Sequence, residues 1–234
     1  MTAEFDVIVW GASGFTGRLV AEYITENYGI GNELRWAIAG RQKDKLEVLR
    51  STLVGNGEVD SLPILIADSN NRESLDELVS KTKVICTTVG PYALYGTALV
   101  EACVESGTDY CDLTGEVQWM NRIIKNYEEK AKQTGARIVH TCGFDSIPSD
   151  LGTYFVQEEI MKQQHVYAKK VTARMGRSSG SASGGTIASL LNVLDEAKKD
   201  PSIRRVMGDP YSLCPPTSIH GKDGPDQSTF KYDS

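Results

Sequence analysis

The chain has 234 residues, of which 40% are hydrophobic and 24% charged, a soluble globular composition sufficient for one large domain or two small ones. Its formal net charge of −6 disfavours nucleic acid or an anionic membrane as the main partner. No apolar run reaches the length of a transmembrane segment, and Glu4 and Asp6 interrupt any signal-like start, so a cytoplasmic location is expected.

In chain order, the β-branched run from Phe5 to Trp10 predicts a first strand that stops at Gly11. Gly11, Ser13, Gly14, Phe15, Thr16 and Gly17 then form a G-x-x-G-x-x-G turn, and Leu19, Val20, Tyr23 and Ile24 carry a helical period. Strand, glycine turn and helix in that order present bare backbone N–H groups, and the positive end of a helix, to a phosphate. Gly11 suits a sharp turn, Gly14 a close approach of pyrophosphate, and Gly17 close packing of helix on strand. The spacing also fits an ordinary glycine-rich turn without a ligand.

A second strand, Leu34 to Ala39, ends at Gly40-Arg41, and Lys45 to Leu53 reads as a helix broken at Asn56-Gly57. Leu62 to Ala67 is a third strand ending at Asp68, and Arg72 to Lys81 a helix. Val84 to Val89 is a fourth strand ending at Gly90-Pro91-Tyr92, followed by a helix from Thr97 to Ser106. Asp109 to Leu113 is a fifth strand ending at Thr114-Gly115-Glu116, and Val117 to Gln133 a longer helix. Arg137 to Thr141 is a sixth strand ending at Gly143-Phe144-Asp145. Near-continuous apolar strands alternating with helices define an α/β fold, a Rossmann-type doubly wound parallel sheet. Residues 1–148 form this dinucleotide-binding domain, and in such sheets ligands bind outside the carboxyl ends of the strands.

Beyond Pro148 the pattern changes. Asp150 to Met161 reads as an amphipathic helix with Leu151, Tyr154, Phe155 and Ile160 apolar, and Val166 to Met175 as a long alternating strand. The Ser178–Thr186 stretch is either a linker or a shaped loop opening a helix from Thr186 to Lys198. A single strand cannot form a sheet, so residues 149–234 are expected to be a partial α+β second domain, truncated within this chain.

At the second strand end, where an unphosphorylated ribose usually meets an acidic side chain, stands Arg41, with Lys43 and Lys45 behind it. A planar guanidinium suits a 2′-phosphate, which favours NADP over NAD; a solvated surface arginine is the alternative. Asp68 fits either an adenine amino group or a helix cap. Val89, Gly90 and Pro91 fall where the chain passes the ribose and nicotinamide. Tyr92, Tyr95, Asp112, Glu116, Asp145 and Asp150 are the candidate polar groups at the crevice mouth, with Tyr92, Asp112 and Asp145 taken as catalytic candidates, although the aspartates equally suit turns and caps. His140, His165 and His220 lack ligand spacing, so no metal is expected. The five cysteines form no C-x-x-C pair and read as small hydrophobes.

Together, Gly11–Gly17, Ala39-Gly40-Arg41, Val89-Gly90-Pro91-Tyr92, Tyr95-Gly96, Asp109–Glu116, Cys142–Asp150, Ser183–Thr186 and Asp209–Leu213 resemble the saccharopine dehydrogenase-like oxidoreductases, most closely the branch that holds the trans-acting enoyl reductases. The resemblance implies hydride transfer from NADPH to a small-molecule or carrier-bound acyl substrate, or to an amino-acid imine as in saccharopine formation. An imine enzyme needs carboxylate-binding arginines, and Arg174, Arg177, Arg204 and Arg205 stand in no recognisable carboxylate motif, which favours the acyl substrate. Full-length members are longer, and for them the resemblance also implies peripheral lipid-droplet or membrane association and a homodimer. A non-catalytic nucleotide-binding or lipid-associated protein is the rival class. A nucleotide-sugar epimerase is disfavoured, because Lys130 follows Tyr127 one residue too early for a Tyr-x-x-x-Lys pair.

Overall fold

A computed structural model describes residues 3–31, 33–54, 61–177, 179, 182–209 and 211–215. The Asn56-Gly57 break, parts of the Ser178–Thr186 stretch, Pro210 and His220 lie outside the described residues. Six strands form one parallel sheet: β1 (Phe5–Trp10), β2 (Trp36–Gly40), β3 (Ile64–Ile66), β4 (Thr82–Thr87), β5 (Asp109–Asp112) and β6 (Ile138–Val139). Their order is β3-β2-β1-β4-β5-β6, so the chain reverses direction across the sheet between β1 and β4. The crevice created at such a reversal is where α/β sheets bind ligands.

The strands are apolar on both faces because helices cover both. Helices α1 (Phe15–Tyr28) and α2 (Lys43–Val54) pack over the β1–β3 half. Val9, Ala12, Ala21, Ile24, Trp36, Ile38, Leu46 and Leu49 close that layer. On the other face lie α3 (Arg72–Ser80), α5 (Thr97–Ser106) and α6 (Val117–Thr134). A second core forms there from Ile8, Trp10, Leu75, Ile85, Leu99, Val100, Tyr110, Trp119 and Ile123. One helical turn, α4 (Tyr92–Tyr95), joins β4 to α5. At the amino ends of the strands, Asp6 binds Arg35 and Lys83, and Asp109 binds Arg137, clamping β1 to its neighbours and β5 to β6.

After β6 come α7 (Ile147–Gln164), α8 (Gly184–Lys199) and α9 (Pro201–Gly208). α9 packs on α6, and α8 on α9. The predicted strand from Val166 to Met175 is not a strand. Those residues are exposed or half-buried without regular hydrogen bonding, and the cross-contacts of Ala168 go to the Gln157 side chain. Alternation supplies a strand only where a neighbouring backbone accepts its ladder, and no such neighbour lies beside this segment among the described residues. The apolar positions of α7 are likewise not buried: Leu151, Tyr154 and Phe155 are all exposed. Among the described residues no helix is long and apolar enough to cross a membrane.

Candidate functional site

The glycine turn is built by close backbone approach. Gly11 has φ +85, and a Cβ there would stand 2.5 Å from Val89 Cγ2. A Cβ on Gly17 would stand 2.2 Å from the Gly11 carbonyl oxygen, so helix α1 can pass over the end of β1 only with glycine at this point. Gly14 is the N-cap of α1 and supplies no side-chain cap, and the first turn carries no acidic residue. The opening amides of the helix are therefore left to an outside acceptor, next to the positive end of the helix. These are the features of an anion cradle.

This turn forms one wall of a crevice of about 480 Å³ at the carboxyl ends of β1, β2, β3 and β4. Gly11, Ser13, Gly14, Phe15 and Thr16 line it, with Gly40 and Arg41 after β2, Asp68 after β3, and Val89 and Gly90 after β4. Gln42, Lys45, Ser69, Asn70, Thr88 and Tyr95 line it as well, and Ser183 and Gly185 bring the start of α8 to its rim. Gly17 and Pro91 stand just behind the wall: Gly17 seats the helix, and Pro91 is the N-cap of α4.

Two cations line this space, Arg41 and Lys45. Lys43 pairs with Glu47, but among the described residues Arg41 and Lys45 make no ion pair. Asp68 is not the helix cap. Asn71 Oδ1 accepts the Ser74 amide and caps α3, while Asp68, which lines the crevice, accepts the Asn70 amide through Oδ1 at 2.9 Å.

The ends of β5 and β6 lie apart from this crevice. Asp112 is 3% exposed, and both its oxygens are fully used. One accepts the amides of Thr114 and Thr141, at 3.0 and 3.1 Å. The other accepts the Tyr110 hydroxyl at 2.8 Å and meets His140 Nδ1 at 2.7 Å. This carboxylate ties β5 to the strand end at Thr141, whose φ of 60 is unusual for a β-branched residue. Tyr92 is 4% exposed. Its ring packs on Trp119 at 5.6 Å, and its hydroxyl donates to the Thr87 carbonyl at 3.3 Å. Burial, reinforced by the Asp112 charge, pushes this phenol far above the ordinary range, so it stays protonated. Glu116 is 2% exposed and accepts the amides of Tyr92 and Ala93 at 2.7 and 2.9 Å. Asp145 and Asp150 are exposed, and Asp150 lies in the first turn of α7. Of the six polar candidates at the mouth, only Tyr95 lines the crevice.

The cysteines divide by depth. Cys103 is fully buried, and burial drives its thiol up. Cys86 and Cys111 are register partners on β4 and β5, while Cys142 and Cys214 are exposed.

Sheet order, glycine turn and crevice together define a dinucleotide-binding fold of the Rossmann type. The profile of the saccharopine dehydrogenase NADP binding domain matches residues 7–139, and the chain belongs to that family. A provisionally named trans-acting enoyl reductase of Mycobacterium tuberculosis is 41% identical over 222 residues, covering 95% of this chain and 52% of that protein. A trans-acting enoyl reductase of Mycobacterium ulcerans is 37% identical over 224 residues, with 95% and 52% covered. The chain thus spans about half the length of these relatives. Among solved structures, apo saccharopine dehydrogenase (L-Glu forming) from Saccharomyces cerevisiae matches 68% of this chain and 32% of its own. Its TM-score is 0.54 at 16% identity, a likeness of fold. Family membership makes NADP(H) the cofactor class, and the glycine cradle and the two cations of the crevice fit it.

Proposed function

We propose that this chain is the cofactor-holding part of an NADP-dependent reductase acting on an unsaturated acyl substrate. The observation that carries the reading is one crevice joining a helix start without a side-chain cap to two cations that make no ion pair among the described residues. When bound there, NADPH would supply the hydride. The Gly11–Gly17 turn holds the pyrophosphate against the first amides of α1. Arg41, with Lys45 one helical turn on, holds the 2′-phosphate and sets the preference for NADP over NAD. Asp68, lining the crevice after β3, accepts from the adenine amino group. Val89, Gly90 and Pro91 bound the ribose and nicotinamide end.

Tyr95 is the group we assign to proton delivery, because its ring lines the crevice while Tyr92 and Asp112 are spent inside the core. Two observations support an acyl substrate. The relatives carry enoyl reductase names. α8 begins at the crevice rim and exposes Ile187, Leu190, Leu191 and Leu194 along its length. The test is titration with NADPH followed by fluorescence, then NADPH consumption with enoyl thioesters and with imines. Binding with turnover on enoyl thioesters alone is expected. Turnover only on imines overturns the substrate class, and binding without turnover on either favours a nucleotide-binding protein that is not an enzyme.

A further inference from the structure

The carboxylate of Glu116 presents a problem that its burial makes sharp. It is 2% exposed, and among the described residues it makes no ion pair. Its donors are the amides of Tyr92, at 2.7 Å, and Ala93, at 2.9 Å. A buried carboxylate is costly, and two short charge-assisted hydrogen bonds must hold both partners in fixed places to offset that cost. The amides it grips follow Val89, Gly90 and Pro91 directly, and Val89 and Gly90 are wall residues of the crevice.

Glu116 is itself fixed. Its own amide donates to Thr114 Oγ1 at 3.1 Å, and the Thr114 amide donates to Asp112 Oδ1 at 3.0 Å. Asp112 in turn is locked to Tyr110, His140 and Thr141. A chain of hydrogen bonds therefore runs from the ends of β5 and β6 to the loop after β4. Opposite it, the room around Gly90 is limited: a Cβ there would approach Ser189 Oγ of α8 to 3.3 Å.

We infer that Glu116 is a positioning residue that sets the height of the Val89–Pro91 wall and so the affinity of the crevice for the nicotinamide half of the cofactor. The inference rests on the reading that this crevice holds NADP(H). Because the wall lies away from Arg41, Glu116 acts equally on phosphorylated and unphosphorylated cofactor.

The test is titration of the full chain and of Glu116→Gln with NADPH and with NADH. Glutamine keeps the shape and one acceptor oxygen but turns an NH₂ toward a backbone donor. The expected result is a rise of roughly ten-fold in Kd for both cofactors, equivalent to about 1.4 kcal/mol. A general loss of stability would lower the melting temperature without this parallel rise in the folded protein. A folded variant with both dissociation constants within about two-fold of the parent overturns the inference. Where the variant does not fold, hydrogen exchange on the unaltered chain decides. The Tyr92 and Ala93 amides should be protected without cofactor and more so with NADPH; exchange as fast as exposed loop amides, or no response to NADPH, overturns it. A parent chain that binds neither cofactor overturns the cofactor reading and this inference with it, whereas binding by the parent with an indifferent Glu116→Gln overturns this inference alone.

Discussion

Replacing Arg41 by alanine tests the proposed preference of the crevice for a 2′-phosphate. The guanidinium is exposed at the end of β2, lines the crevice and has no ion-pair partner among the described residues, so its removal breaks no internal contact that is visible. A hydrogen bond to a charged group contributes about 1.5–3 kcal/mol, and exposure to solvent places this one near the lower figure. That corresponds to a rise of roughly ten-fold in Kd for NADPH. NADH offers no 2′-phosphate, so its Kd should stay within about two-fold. Lys45 remains in the variant and keeps part of the attraction, which Arg41→Ala with Lys45→Ala should then remove. Because both cations are close to solvent, raising the salt well beyond the physiological range, where the Debye length is about 8 Å, should shrink the proposed preference for NADPH. Fluorescence titration with both cofactors at two salt concentrations is the assay. An equal weakening for NADH and NADPH, or no change for either, refutes the argument and returns Arg41 to a solvated surface residue.

Other consequences follow from packing and charge. Gly17→Ala forces a Cβ to 2.2 Å from the Gly11 oxygen and 2.8 Å from Ala12 Cα, both backbone. Overpacking of this kind costs about 3 kcal/mol or more, or roughly 6–12 °C in a thermal melt, and an unchanged melt would show that α1 can lift off β1 freely. Tyr92→Phe keeps the ring on Trp119 and loses the hydroxyl's hydrogen bonds to the backbone, among them the 3.3 Å bond to Thr87, so stability should fall by about 1 kcal/mol with NADPH affinity unchanged; a large loss of affinity would return that hydroxyl to the site. Tyr95→Phe should lower turnover by roughly 10²-fold or more with NADPH binding intact, and undiminished turnover removes it as the proton donor. Asp109 is held below the usual carboxylate range, first by its hydrogen bond from Arg137. A depressed carboxylate contributes stability that is complete above its unfolded value near 4 and is lost as pH falls through the folded one. Asp109→Asn should therefore destabilise the protein at neutral pH and converge with the parent in acid, as read by urea melts across that range.

The nucleotide half was legible in the sequence because its signals are local. Glycine spacing, an apolar run and a helical period each state one conformational need, and the parallel sheet satisfies all of them at once. Helix α5 falls at the predicted residues Thr97 to Ser106 for that reason. The failure at Val166–Met175 has the opposite cause. Two-residue alternation describes a face, but a strand also requires a neighbour, and pattern alone does not supply one. The single turn α4 was missed as well, because four residues carry no period; it forms where the Glu116 carboxylate meets the Tyr92 and Ala93 amides.

The polar residues at the strand ends mark the limit of that legibility most clearly. Tyr92, Asp112 and Glu116 look alike in sequence: polar groups just past apolar strands, where a crevice should be. Sheet order removes Asp112 and Glu116 from the crevice, and burial against Trp119 removes Tyr92. The crevice gathers the ends of β1 to β4, while Asp112 closes β5, one strand further out, and Glu116 is the N-cap of α6, both buried. There they accept from backbone amides and ring groups of the fold itself. A carboxylate at a strand end is thus as consistent with shaping a site as with reacting in it. What distinguishes these acids is their hydrogen-bond donors: Asp68, lining the crevice, accepts the Asn70 amide through Oδ1, whereas both oxygens of Asp112 and of Glu116 are taken by groups of the fold.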